Sequence, residues 1–104
     1  MAGEERKTGG GVQEKTRPRT RKPRLFRVVL HNDDYTTMQF VVEVLEQIFN
    51  KSPAEAHRIM MQVHRQGRGV CGAYPFEVAE TKVDMVHDRA REEGYPLRAS
   101  MEEA

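Results

Sequence analysis

The chain has 104 residues, of which 38% are hydrophobic and 32% charged, and this length leaves room for one domain with one modest core. Its 17 Lys plus Arg against 16 Asp plus Glu hide a split: residues 1–23 carry seven basic and three acidic residues, whereas 24–104 carry ten and thirteen. A lone Cys71 excludes an internal disulfide, and no apolar run approaches the ~20 residues of a membrane span.

Residues 1–23 contain Gly9, Gly10 and Gly11, scattered Lys and Arg, and only Ala2 and Val12 as apolar residues after Met1. Such a segment buries too little surface to offset its ordering entropy, so it is expected to be a disordered basic arm. Without interleaved aromatics it reads as a solvated tail rather than a nucleic-acid-binding element. It also lacks the apolar stretch of a secretory signal, and with the single cysteine this points to a reducing, cytoplasmic setting.

Order is expected from residue 24 onward. Leu25 to Leu30 is a strand-length run with Phe26, Val28 and Leu30 on one face. His31-Asn32-Asp33-Asp34 stops it with turn-forming side chains. Thr36 is the expected N-cap of a first helix, with Gln39 three positions on, and Met38, Val41, Val42, Leu45, Ile48 and Phe49 carry the helical spacing to about Asn50. Ser52-Pro53-Ala54-Glu55 combines an N-cap serine, proline at the first helical position and a reciprocal glutamate, opening a second helix with Ala56, Ile59, Met60 and Val63 inward.

Gly67 and Gly69 end that helix, and Val70 to Tyr74 is small enough to be a central strand packed closely under a helix. Pro75 opens a third helix, Phe76, Ala79, Val83, Val86 and Ala90 form its inner stripe, and Gly94 with Pro96 stops it. Leu97, Ala99 and Met101 alternate with polar residues in a last strand. The order βααβαβ predicts an α+β domain over 24–104, a three-stranded sheet covered by three helices.

Several residues invite chemistry. The run from His31 to Asp34 offers four polar groups, but neighbours in sequence rarely converge on one ion and no metal motif accompanies them, so no metal is expected. His57 and His64 lie two turns apart, too far for one ion. Cys71 sits among Gly, Val and Ala with no flanking cation to lower its pKa, which disfavours a Cys71–His64 hydrolase. Gly67-Arg68-Gly69 lacks the remainder of a phosphate loop. No cofactor is expected.

The run Val29 to Met38, the segment Val63-His64-Arg65-Gln66-Gly67, and Val70-Cys71-Gly72 followed by Glu77 to Val83 together resemble the ClpS family. The likeness covers roughly 24–104 and none of the first 23 residues. It implies a non-enzymatic adaptor that binds proteins by a bulky hydrophobic N-terminal residue (Leu, Phe, Tyr or Trp) and delivers them to the ClpA-ClpP protease. By position, Asn32, Asp34 and His64 would surround the substrate's α-ammonium, with Asp33 near the first peptide groups. Leu30, Thr36, Met38, Val41, Met60, Val63 and Leu97 would line the pocket, with Met38 as gatekeeper against β-branched residues. Glu77 and Lys82 would contact the N-terminal domain of a ClpA-type unfoldase, although by themselves they read as a solvated helix face. Many relatives have proline where this chain has Thr37, a change that removes a φ constraint beside the gate.

The residue chemistry agrees with that implication. An α-ammonium carries three donors and a charge, and an Asn carbonyl, a neutral His nitrogen and a carboxylate supply acceptors. Walls of Met and Val give a charged first residue no partner. Protonating His64 would remove an acceptor and set a second cation against the ammonium, so affinity should fall toward acid pH. The alternative is a ClpS-like modulator that mainly redirects the unfoldase's choice of substrates and has a weak or narrow N-degron pocket.

Overall fold

The computed structural model describes residues 22–104; of the expected arm, all but Lys22 and Pro23 lies outside the described residues. The observed elements are β1 (Leu25–His31), α1 (Met38–Gln47), α2 (Pro53–Gln66), β2 (Arg68–Pro75), α3 (Phe76–Glu93) and β3 (Arg98–Glu103). This is the expected α+β order, folded as one antiparallel three-stranded sheet with its three helices.

The sheet order is β2-β1-β3, so β1 is the central strand and the segment around Cys71, expected in the centre, is an edge. The reason is visible in β1, where Val28, Val29 and Leu30 are all fully buried in succession. Three consecutive buried residues need cover on both faces and a neighbour on each side, whereas β2 alternates between exposed and buried positions. Register shifts between Val28 and Val29: Val28 faces Gly72 and Val29 faces Val70, leaving Cys71 as the extra residue of a bulge. Gly69 lies directly beneath α2, and a Cβ there would fall 2.8 Å from Val63 Cγ2, so the close helix-on-strand packing read from the glycines is present.

Val28 and Leu30 point into a core shared with Val44, Leu45, Ile59, Val63, Cys71 and Val86. Val29 has no exposure although it lies outside that core, on the opposite side of β1. Near it, Glu102 on β3 receives Arg27 of β1 and Arg68 of β2 at 3.4 and 2.8 Å, and His31 Nε2 meets Ser100 Oγ at 2.6 Å.

Helix ends follow local chemistry, with two corrections. The N-cap of α1 is Thr37, not Thr36: Thr37 Oγ1 accepts from the Phe40 amide at 3.1 Å, while the Thr36 hydroxyl donates to Asp33 Oδ2 at 2.7 Å. With φ of −73°, Thr37 already holds the angle a proline would impose and adds a side-chain cap. Thr37→Ala is therefore expected to lower stability by about 1 kcal/mol in urea unfolding, with a cap lost at Thr37 and none at Thr36. The helix stops at Gln47, ahead of the expected Asn50, and Asn50 itself takes a left-handed φ of 56°.

At α2, Ser52 Oγ accepts from the Glu55 amide at 3.2 Å and Pro53 occupies the first turn as expected. The reciprocal half of that box is absent, because the Glu55 carboxylate is taken by Arg58 at 2.6 Å. Gly67, with φ of 90°, closes α2 and Gly94, with φ of 78°, closes α3. On α3, Ala79, Val86 and Ala90 are buried, whereas Phe76 stays half exposed and packs edge-on against Phe26 with ring centroids 5.3 Å apart.

Candidate functional site

The loop from Asn32 to Thr37 joins the end of β1 to the start of α1 and runs beside the C-terminal end of α2. Asn32 N–H donates to the Gly67 carbonyl at 2.9 Å, which ties the loop to the glycine that closes α2. Asp33 Oδ1 accepts from the amides of Tyr35 and Thr36 at 2.8 and 2.7 Å, and its other oxygen holds the Thr36 hydroxyl. The sequence Asn-Asp-Asp-Tyr-Thr folds this way because a short carboxylate reaches amides two and three residues on.

Between this loop, α1 and α2 lies a cavity of about 260 Å³. Its apolar wall is Met38, Val41, Met60 and Val63, and its polar wall is Asn32, Asp33, Asp34, Thr36 and His64. Val41, Met60 and Val63 are buried, and Met38 is 44% exposed at the first residue of α1, a placement suited to a gate. An apolar cavity of ~150 Å³ already admits benzene, so this one has room for a Leu or Phe side chain.

The structure thus gathers the residues named from the sequence, with two exceptions. Leu30 and Leu97 do not line the cavity; both are buried in the core, Leu30 completely. The resemblance placed them in the pocket, but α1 and α2 supply the apolar residues that reach the cavity itself.

Among the described residues, no side-chain hydrogen bond engages Asn32, Asp34 or His64, so their acceptors are available to a guest. Asp33 differs. Burial alone would raise its pKa, but the Thr36 amide, the Thr36 hydroxyl and the Tyr35 amide outweigh it and hold the carboxyl below its usual value. A carboxyl with a depressed folded pKa contributes stability above its unfolded pKa of ~3.9 and loses it as pH falls through the folded value. The stability gap between wild type and Asp33→Ala is accordingly expected to be constant near neutrality and to narrow below about pH 4. Urea midpoints of both proteins along a pH series measure it.

Cys71 is 1% exposed, and desolvation pushes its thiol up to about 12, which leaves no thiolate for catalysis. His57 is exposed and lies off the cavity. No group of three or more His, Cys, Asp or Glu suited to a metal occurs among the described residues. No described helix is long and apolar enough to cross a membrane.

Glu77 and Lys82 lie on α3, away from the cavity lining. Glu77 is exposed and shares a surface groove with Val78, Lys82 and Met85. Lys82 departs from the solvated face read from the sequence: it is half-buried, donates to the Ile48 carbonyl at 2.7 Å, and lies 5.3 and 5.7 Å from the Tyr74 and Phe49 ring centroids. The ammonium therefore clasps α3 to the C-cap of α1. The exposed apolar neighbours Phe76, Val78 and Met85 were not singled out from the sequence as a surface; helical spacing alone does not tell which residues of a stripe remain uncovered.

Comparison with known proteins places this geometry. The family model described as ATP-dependent Clp protease adaptor protein ClpS matches residues 21–100. The ATP-dependent Clp protease adapter protein ClpS of Nitratidesulfovibrio vulgaris (strain DSM 19637 / Miyazaki F) is 64% identical over 83 residues, covering 80% of this chain and 83% of that protein. Its counterpart in Maricaulis maris (strain MCS10) is 60% identical over 94 residues, covering 90% and 86%. The solved structure of Agrobacterium tumefaciens ClpS2 bound to L-phenylalaninamide matches with a TM-score of 0.77 and 38% identity, over 80% of this chain and all of that one. With a family match over residues 21–100 and relatives 60–64% identical over the aligned residues, the chain belongs to the ClpS family: it is an adaptor of the ATP-dependent Clp protease, not an enzyme.

Proposed function

We propose that the cavity captures the first residue of a substrate protein when that residue is large and apolar (Leu, Phe, Tyr or Trp) and its α-amino group is free. The observation that carries this reading is the pairing, in one cavity, of a Met and Val wall with three polar side chains, Asn32, Asp34 and His64, that no described side chain engages. Burial of a Leu or Phe side chain contributes about 1.5–3 kcal/mol, and each hydrogen bond to the ammonium about as much again. An internal residue has no ammonium and leaves the same acceptors unpaired. The ligand of the related Agrobacterium ClpS2, L-phenylalaninamide, joins a free amine to an aromatic side chain, which supports the same division of labour here.

Delivery completes the proposal. The exposed Glu77 and the adjoining Val78 and Met85 on α3 offer a mixed charged and apolar face to the N-terminal domain of a ClpA-type unfoldase, with Lys82 at its border. Cavity and docking face lie on different parts of the domain, so cargo and unfoldase can be held together.

The test is a titration with fluorescent peptides that begin with Leu or Phe, beside matched N-acetylated peptides and peptides that begin with Ile, at fixed salt. Binding of only the free Leu and Phe peptides is the expected result. Equal weakness toward all of them would replace this reading with that of a modulator acting on the unfoldase alone.

A further inference from the structure

We infer that Asp33 is a positioning residue of the cavity and not one of the groups that meets the substrate amine. This rests on the proposed recognition of a free N-terminal residue, and it gives Asp33, which the resemblance places near the first peptide groups, a role within its own loop.

The separation follows from where the lone pairs go. A carboxylate offers about four acceptor sites. Asp33 commits three of them within its own loop, to the Tyr35 amide, the Thr36 amide and the Thr36 hydroxyl, all at 2.7–2.8 Å. Asp34 commits none to a described residue, and it lines the same cavity. A bound ammonium therefore finds every acceptor site open at Asp34 among the described residues, whereas at Asp33 one site of about four is left beside the bonds that hold the loop.

What those bonds hold is the route to the gate. Fixing the Tyr35 and Thr36 amides sets the reversal of the chain after β1, and the Thr36 hydroxyl bond fixes the rotamer of a residue in the cavity wall. The next residue is the Thr37 cap and the one after it is Met38. Asp33 thus sets where α1 starts, and through that start it sets both the Asp34 carboxylate and the Met38 thioether against the guest. An asparagine at position 33 retains this: its amide oxygen accepts from both backbone N–H groups and its amino group donates to the Thr36 oxygen.

The experiment titrates free and acetylated Phe-initiated peptides, and Leu- against Ile-initiated ones, with wild type, Asp33→Asn, Asp33→Ala and Asp34→Asn. The free peptides are expected to bind Asp33→Asn within about threefold of wild type and Asp34→Asn about tenfold or more weakly. Asp33→Ala is expected to lose affinity and, distinctively, Leu-over-Ile discrimination. Amide hydrogen exchange at Tyr35 and Thr36 follows the loop directly and does not require binding: it should quicken in Asp33→Ala and stay near wild type in Asp33→Asn. A loss in Asp33→Asn as large as in Asp34→Asn, confined to the free peptides, would make Asp33 an amine ligand and overturn the inference alone. Wild type that fails to separate free from acetylated peptides would overturn the recognition itself, and this inference with it.

Discussion

Replacing Asp34 with alanine is expected to weaken a Phe-initiated peptide by one to two orders of magnitude, because a hydrogen bond between charged partners in a partly enclosed site is worth about 1.5–3 kcal/mol. His64→Ala should fall in the same range, since the imidazole stands at the last turn of α2 on the same cavity. The informative measurement is a cycle that combines the substitution with acetylation of the peptide. If both changes remove the same bond, the double change costs little more than either one, and the coupling is a large fraction of each. Asp34→Ala that weakens free and acetylated peptides equally would mean that the carboxylate acts on the shape of the site and not on the amine.

The second large effect concerns the floor of the fold. Gly69→Ala places a Cβ 2.8 Å from Val63 Cγ2 and 3.3 Å from the Ile59 carbonyl, and the backbone atom cannot swing aside. Overpacking of this kind costs about 1–3 kcal/mol, and for a domain of this size it lowers Tm by roughly 5–15 °C. Val63 belongs to the cavity wall, so the displaced helix should also weaken peptide binding beyond any loss of folded protein. Gly72→Ala is the control. Its Cβ meets the outer end of the Tyr74 ring and no backbone atom, so a smaller loss is expected. Thermal melts of the two variants, with binding measured well below each Tm, separate packing from recognition.

Much of this architecture was legible because it is local. The stripes of the helices, Ser52 with Pro53, and the glycines that close α2 and α3 each carry their own physical signal within a few residues. The errors arose where a local pattern had two solutions and a distant or competing partner chose. Thr36 and Thr37 are both chemically fit to cap α1, and Asp33 settled the matter by taking the hydroxyl of Thr36. Glu55 had Ser52 behind it and Arg58 ahead, and the guanidinium took it. The glycines of β2 correctly announced a close approach to α2, but the place of a strand within a sheet depends on pairing across some forty residues, which no window of its own sequence contains.

The same distinction runs through the candidate site. Its polar wall was named through the resemblance to the ClpS family, since by themselves Asn32, Asp33 and Asp34 read as a turn, and the structure brings these residues and His64 to one cavity. Its depth was not legible: the resemblance puts Leu30 and Leu97 in the pocket, yet both are buried in the core and absent from the cavity wall. Lys82 was the least legible residue, since its oxygen partner is on Ile48, 34 positions earlier, and its aromatic neighbours come from two further elements.

The side of β1 that carries Val29 also bears on how copies of the protein behave in a crowded solution. A bare three-stranded sheet with an apolar face invites a second sheet to stack on it, the first step toward sandwich-like dimers and aggregates. Here an approaching sheet would have to strip water from Glu102 and the two arginines that share it, a desolvation cost that the sequestered Val29 cannot repay. The ion cluster therefore opposes the stacking of a second sheet on this face of β1.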